Sequence, residues 1–582
     1  MSNPAPDLYY PNPPRPGRSS ISLRRGSNSN EISPLLKHNH HHHQHHPRRG
    51  DTEEEDDYDE EEEEEEEIDQ TFWGAFRALS ANAAPLTIGF LLEACFPLVS
   101  TLIAGRLGPN ELATVGQGIQ IMGVTTTVLI LSSTAAQTTL SAPLFTLKHN
   151  NTTSKSKSKS PSSSTSQSHS HTHSGKKEIG IIAQRGFILA HLCVLPMLVV
   201  WWFIRPIMIA LGQPESLAVG LQGFLRWMML YVPGYALMET SKAFLQAQSI
   251  FHPPTFIVAA ILPLHTALAY YLVHRTSLRE NGVAISVAMS YTLIGVLLVG
   301  WIARTEAREC WGGWSRRCLE GWRAYLGILV PSAMMFGSEW WSFEIVSLMA
   351  GRLGETSIAA QAAITSMDIF LAMIPYAAGL ASTVRLGQLL GHNTPEAVRA
   401  AKVTVRAAYV FAILVTAFLA TGLLVGRFWL AGLYVKGEGR SEDEVRGLIA
   451  SVLIPIATYQ VSDAVASIGS SILRSIALQN LQAAIITGSY YVLGLPLGYY
   501  LAYRQNWGLV GLWTGTSVGL FWVGAFGVIF YCVRVDWTEE MRRAVWRSRG
   551  SGFAMVEEDD DEDDEEEDEE NASERDYGTM RI

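Results

Sequence analysis

Twelve apolar stretches, each about the 17–25 residues that cross a bilayer as an α-helix, constrain this chain more than any other feature. They run over 84–105, 112–146, 180–204, 219–246, 254–273, 282–303, 324–351, 357–384, 403–426, 447–475, 480–502 and 509–533. Their interiors carry many Gly and Pro, which lipid-buried helices tolerate. The alternating ten-residue segments of a transmembrane β-barrel are absent from the sequence. The fold class read from this is an all-α polytopic membrane protein.

Charge agrees. Only 17% of the 582 residues are charged, against about 25% in soluble proteins. Acidic runs at 51–69 and 557–570 hold 30 of the 56 Asp and Glu, and the rest of the chain is net +18. The formal charge of −12 therefore describes the tails. The expected organisation is a disordered acidic and His-rich tail over 1–79, a six-helix lobe over 80–303 with a Ser-rich insert at 150–175, and a cytosolic linker at 304–323. A second six-helix lobe over 324–535 and an acidic tail over 536–582 complete it. Five Cys without a C-x-x-C pair exclude a disulfide framework and structural zinc. Neither a metal-spaced His cluster nor a nucleophile motif marks the apolar part, so an enzyme is not expected. No nucleic-acid partner is expected either. Lys and Arg concentrate in the loops after the second, sixth and eighth spans, which places both termini in the cytosol.

The chain also repeats itself. Ala104-Gly105-Arg106-Leu107-Gly108 recurs as Ala350-Gly351-Arg352-Leu353-Gly354, and at the same offset Pro85 meets Pro331 and Glu93 meets Glu339. Tyr270 to Arg275 resembles Tyr499 to Arg504. Six helices is an even number, so the two halves share one orientation. Such parallel repeats build secondary transporters whose substrate sites lie between the halves, near the midplane.

Several runs are specific to a family. Trp311-Gly312-Gly313-Trp314-Ser315, then Pro331 and Glu339-Trp340-Trp341-Ser342-Phe343-Glu344, resemble the sixth loop and seventh helix of eukaryotic, fungal-type MATE transporters (multidrug and toxic compound extrusion). Ser382 to Gly387, Gly488 to Gly498, and Leu245 to Gln248 with Pro253-Pro254 resemble the ends of helix 8, helix 11 and the helix 4–5 junction. After the second helix, where family members carry an acid, this chain has Gln137. The resemblance implies a MATE-like pair of six-helix repeats and an antiporter that extrudes or sequesters xenobiotics, amphipathic or cationic, in exchange for H⁺ ahead of Na⁺. It implies no cofactor.

An ionised carboxylate in the bilayer is costly, so mid-helix acids mark function. Such a group holds either a proton or a cationic substrate, which is the simplest antiport chemistry. Glu339, Glu344, Asp368 and Asp463 match family acids, and Glu93 is the repeat counterpart of Glu339. Glu344, five residues from Glu339, points about 140° away on an ideal helix. Glu239, close to Lys242, is expected in a salt bridge. Trp340, Trp341, Tyr376 and Tyr459 are candidates for stacking on a cation, and Pro331 and Pro455 for hinges. Glu31 with Leu35-Leu36 resembles a dileucine sorting signal, which favours the vacuolar membrane over the plasma membrane and a sorting adaptor as partner. The other expected partners are the lipid bilayer and a small organic substrate, with the protein acting as a monomer. A lipid-linked glycan flippase of the same broad fold and a non-transporting membrane sensor or scaffold are the alternatives.

Overall fold

The computed structural model describes residues 71–156, 168–211, 213–392, 394–434 and 439–550. Every regular element among them is helical. Where lipid offers the backbone no hydrogen bonds, a helix satisfies its own. The first half consists of α1 (Phe72–Ala104), α2 (Pro109–Met122), α3 (Val128–Ser156), α4 (Ser168–Trp202), α5 (Ile204–Ala210), α6 (Glu215–Met228), α7 (Tyr231–Ala247), α8 (His252–His274) and α9 (Asn281–Ile302). A π-helical turn, Gly123–Thr127, joins α2 to α3. The second half consists of α10 (Trp322–Gly351), α11 (Glu355–His392), α12 (Pro395–Tyr434), α13 (Arg440–Ser475), α14 (Gln479–Thr487), α15 (Leu495–Tyr499) and α16 (Gly508–Arg534), followed by α17 (Trp537–Gly550).

Among the described residues ten helices are long and apolar enough to span a membrane. The other two expected spans are helical as well. The span at 219–246 is divided between α6 and α7, and in α10 the polar residues Ser332, Ser338, Glu339, Ser342 and Glu344 dilute the apolar run. Together these make the twelve crossings.

The sequence repeat has a backbone counterpart. Gly108 and Gly354 both take positive φ, +147° and +109°, which only glycine adopts without strain. Each follows the same turn: Leu107 N–H donates to the Ala104 carbonyl at 2.9 Å, and Leu353 N–H to the Ala350 carbonyl at 3.0 Å.

Two of the expected boundaries move. Residues 72–79 are not tail but the first turns of α1, and Leu79 is buried. Residues 537–550 are not tail either. Trp537, Met541 and Ala544 recur at helical spacing and bury one face of α17, while Arg543 pairs with Glu540 at 2.9 Å on the helix. The insert at 150–175 is entered by helix from both sides, up to Ser156 and from Ser168. The sorting motif Glu31, Leu35, Leu36 and the acidic runs lie outside the described residues.

One hydrophobic core draws on residues 96–329 and another on 346–513. The first includes the start of α10: the Tyr325 hydroxyl donates to the Ser133 carbonyl at 2.6 Å. The loop before α10 is fixed to the same half. The Gln184 amide of α4 donates to the Gly313 carbonyl at 2.7 Å and accepts from Ser315 N–H at 3.0 Å. Arg185 reaches the Arg317 carbonyl at 3.2 Å. Other buried polar groups pair between helices. His265, fully buried in α8, bridges Ser100 at 3.1 Å and Ser290 at 3.0 Å, a structural role.

Candidate functional site: two polar clusters and a cleft between the halves

The seam between the halves is closed at two levels. Where α7 ends and α14 begins, the Gln388 amide of α11 donates to the Ala247 carbonyl at 3.2 Å and bonds to Ser249, and Gln479, the first residue of α14, donates to Thr139 within α3 at 3.2 Å. Nearer the repeated glycine turns, α10 meets α2 and the π-turn. Gln120 Nε2 donates to Glu344 Oε1 at 2.5 Å, and Trp341 Nε1 donates to the Val124 carbonyl at 3.3 Å. A Cβ at Gly123 would stand 3.0 Å from the Trp340 ring, so glycine permits this approach. A π-turn shifts carbonyls off the α-helical ladder, and Val124 uses one across the seam.

The second half holds an acidic cluster. Glu339 of α10, Asp368 of α11 and Asp463 of α13 are near enough for their charges to interact. Asp368 and Asp463 are buried, at 7% and 8% exposure. Asp368 Oδ1 accepts from the fully buried Gln460 at 3.0 Å. Among the described residues no Lys or Arg lies within salt-bridge distance of the three. The surrounding wall is aromatic: Tyr459, Tyr490 and Phe336 are buried there, with Trp340, Phe343 and Tyr376 packed against them. Tyr459 lies edge-on to Trp513, with centroids 5.9 Å apart.

The first half holds a different cluster. Lys242 Nζ lies 2.7 and 3.0 Å from the two carboxylate oxygens of Glu93 and 2.8 Å from Glu239 Oε1. Its ammonium also sits 5.3 Å from the Phe90 ring centroid. A small cavity of about 40 Å³ lies between the halves beside the Lys242 group. Phe90, Thr134, Thr138, Glu239 and Gln246 line it from the first half, and Phe336, Tyr376, Thr383 and Arg474 from the second.

The structure thus brings Glu339, Asp368 and Asp463 together and separates the other two candidates from them. Glu344 turns to Gln120 because five residues carry it around the helix from Glu339. Glu93 is held by Lys242, in the same ion-paired group as Glu239. Tyr376 faces the cavity, whereas Tyr459 is enclosed in packing and Trp341 is 56% exposed. Pro331 and Pro455 lie inside α10 and α13. Sequence reasoning missed Arg474, Gln460 and Gln120. The one available signal was a lone Arg closing the apolar run at 447–475.

These features define an all-helical, multi-pass membrane protein with two matched halves around a polar cleft. A family model described as MatE matches residues 85–144, 163–271 and 331–500, more than half of the chain. An uncharacterized transporter of Saccharomyces cerevisiae is 27% identical over 477 residues, 81% of this chain and 63% of that protein. This chain thus spans less than two thirds of that relative's length. Multidrug and toxin extrusion protein 1 of Danio rerio is 27% identical over 80% of this chain and 73% of its own. The crystal structure of the eukaryotic MATE transporter AtDTX14 superposes with a TM-score of 0.72 at 23% identity, over 82% of this chain and 100% of that one. The chain belongs to the MatE family. It is a transporter and not an enzyme.

Proposed function

We propose that this protein is a secondary antiporter that moves amphipathic organic compounds, cationic ones among them, out of the cytosol in exchange for protons. The observation that carries this is the group of Glu339, Asp368 and Asp463, three acids from three helices without a basic partner in salt-bridge reach. An unpaired buried carboxylate is costly, and a bound proton or a bound cation relieves that cost. Because either one relieves it, binding of one displaces the other. The extrusion named in the titles of relatives agrees with this reading. Alternating access then opens the two levels of the seam in turn, with α10 and α13 bending at Pro331 and Pro455, while the Glu93–Lys242–Glu239 group forms the opposing wall. H⁺ is the proposed coupling ion ahead of Na⁺, with no resident cofactor. We place both termini in the cytosol and the protein, as a monomer, in the vacuolar membrane ahead of the plasma membrane, with the Glu31–Leu36 motif read by a sorting adaptor.

The test is reconstitution of the purified chain in liposomes with an imposed pH gradient and a fluorescent organic cation. The expected result is flux that follows the gradient in wild type and is lost in Glu339→Gln. Flux that ignores the pH gradient, or answers only to Na⁺, would sink proton coupling.

A further inference from the structure

The chain after α16 turns straight back onto the bundle. Asp536 caps α17, accepting from Thr538 N–H at 3.0 Å, and Glu539 and Glu540 in the first turn suit the positive end of the helix dipole. Trp537, Met541 and Ala544 are each at most 2% exposed. They share one hydrophobic core with Leu386 and Leu390 near the end of α11 and Ala397 at the start of α12. Trp537 also stands edge-on to Tyr531 of α16, with centroids 6.3 Å apart. The root of α17 is therefore on the second half. Yet α17 packs against α3 as well, a helix of the first half. The stretch of α11 beneath it is the one that meets the first half. Gln388 bonds there to Ala247 and Ser249, and a Cβ on Gly387 would stand 3.0 Å from the Cβ of Ala142 in α3.

We propose that α17 is a clasp. It is rooted on the second half, holds α3 against α11, and stabilises the state in which this end of the seam is closed. This end opens only when α3 parts from α11. Two residues join α17 to α16, so α17 stays with the second half and its contact with α3 is the one that breaks. A contact made in one state alone shifts the balance toward that state by its own free energy. α17 thus sets how often this end opens, and a change that unseats it favours the open state. This inference rests on the alternating-access reading above and adds a part to it.

The test times the exposure of a buried seam residue. Thr139 is buried and is reached across the seam by Gln479. In the full-length protein with its five native cysteines replaced, Thr139→Cys is introduced and its reaction with a charged maleimide is followed. Ala284→Cys, buried within the first half, is the control. Met541→Asp puts a charge into the buried face of α17. It is expected to speed labelling of Thr139→Cys about tenfold, as loss of about one buried apolar side chain from the closed state alone implies. Labelling of Ala284→Cys is expected to stay the same. An unchanged rate at Thr139→Cys overturns the proposal, and so does an equal rise at both sites, which means general loosening. Where Met541→Asp fails to fold, Met541→Ala decides on the same two rates, with a rise of about threefold expected at Thr139→Cys. Gradient-driven flux in liposomes is read separately. Selective exposure without flux defeats only the transport reading, and flux with labelling unmoved by Met541→Asp defeats only this inference.

Discussion

Gln120 and Glu344, 224 residues apart in the chain, face each other across the seam at 2.5 Å. On the same helix α10, Glu339 faces the other way, toward Asp368 and Asp463. One helix therefore serves two purposes: one face ties the halves together, and the other completes the acidic cluster. The 100° advance per residue of an α-helix separates them.

If this seam opens during transport, tying it shut stops turnover. In a background with the five native cysteines replaced, Gln120→Cys with Glu344→Cys is expected to form a disulfide under oxidation. Oxidised protein should carry out no flux in liposomes, and reductant should restore it. Full flux from a fully cross-linked sample would show that the α2–α10 contact stays closed throughout the cycle.

Lys242 balances the buried Glu239 and the half-buried Glu93, so removing it alone leaves both without a counter-charge. Lys242→Met is expected to destabilise the protein by about 3–5 kcal/mol, read as a lowered melting temperature in detergent. Adding Glu93→Gln and Glu239→Gln is expected to recover most of that loss, because the charges needing compensation are gone. A single variant that melts with wild type would mean that the ion pairs contribute little.

Gln184 holds the backbone of the loop before α10 with both ends of its side-chain amide, beside the Arg185 bond to the Arg317 carbonyl. Gln184→Leu leaves a carbonyl and an N–H unpaired, at about 1–3 kcal/mol each when buried. The expected consequence is faster trypsin cleavage after Arg316 or Arg317, visible on a gel as two halves. Unchanged digestion kinetics would show that other contacts hold the loop.

Gly123 admits the Trp340 ring. Gly123→Val is expected to cost about 1–3 kcal/mol through overpacking, and to shift tryptophan emission as the ring is displaced. A variant with unaltered melting temperature and spectrum would mean that the seam yields without strain.

Much of this protein was legible in its sequence, for a physical reason. Lipid leaves an unfolded backbone without partners, so apolar runs of the right length must be helices; the twelve crossings follow from that. The repeated Ala-Gly-Arg-Leu-Gly announced two matched halves, and both glycines take the positive φ that explains their presence. The cost of placing acids in apolar helices marked Glu93, Glu239, Glu339, Glu344, Asp368 and Asp463 alike. Where the apolar signal weakened, boundaries slipped: α17 is amphipathic rather than apolar, so its helix was hidden among charged residues.

Apart from the local Glu239–Lys242 pair, tertiary structure alone decided which charges meet. Lys242 reaches Glu93 across 149 residues of chain, and no local pattern encodes that pairing. It depends on how α1 and α7 are rotated against each other, which is set by packing along both helices. The same holds for Arg474, which reads in sequence as a basic residue ending an apolar run. Only the assembled halves show it buried and facing a cavity.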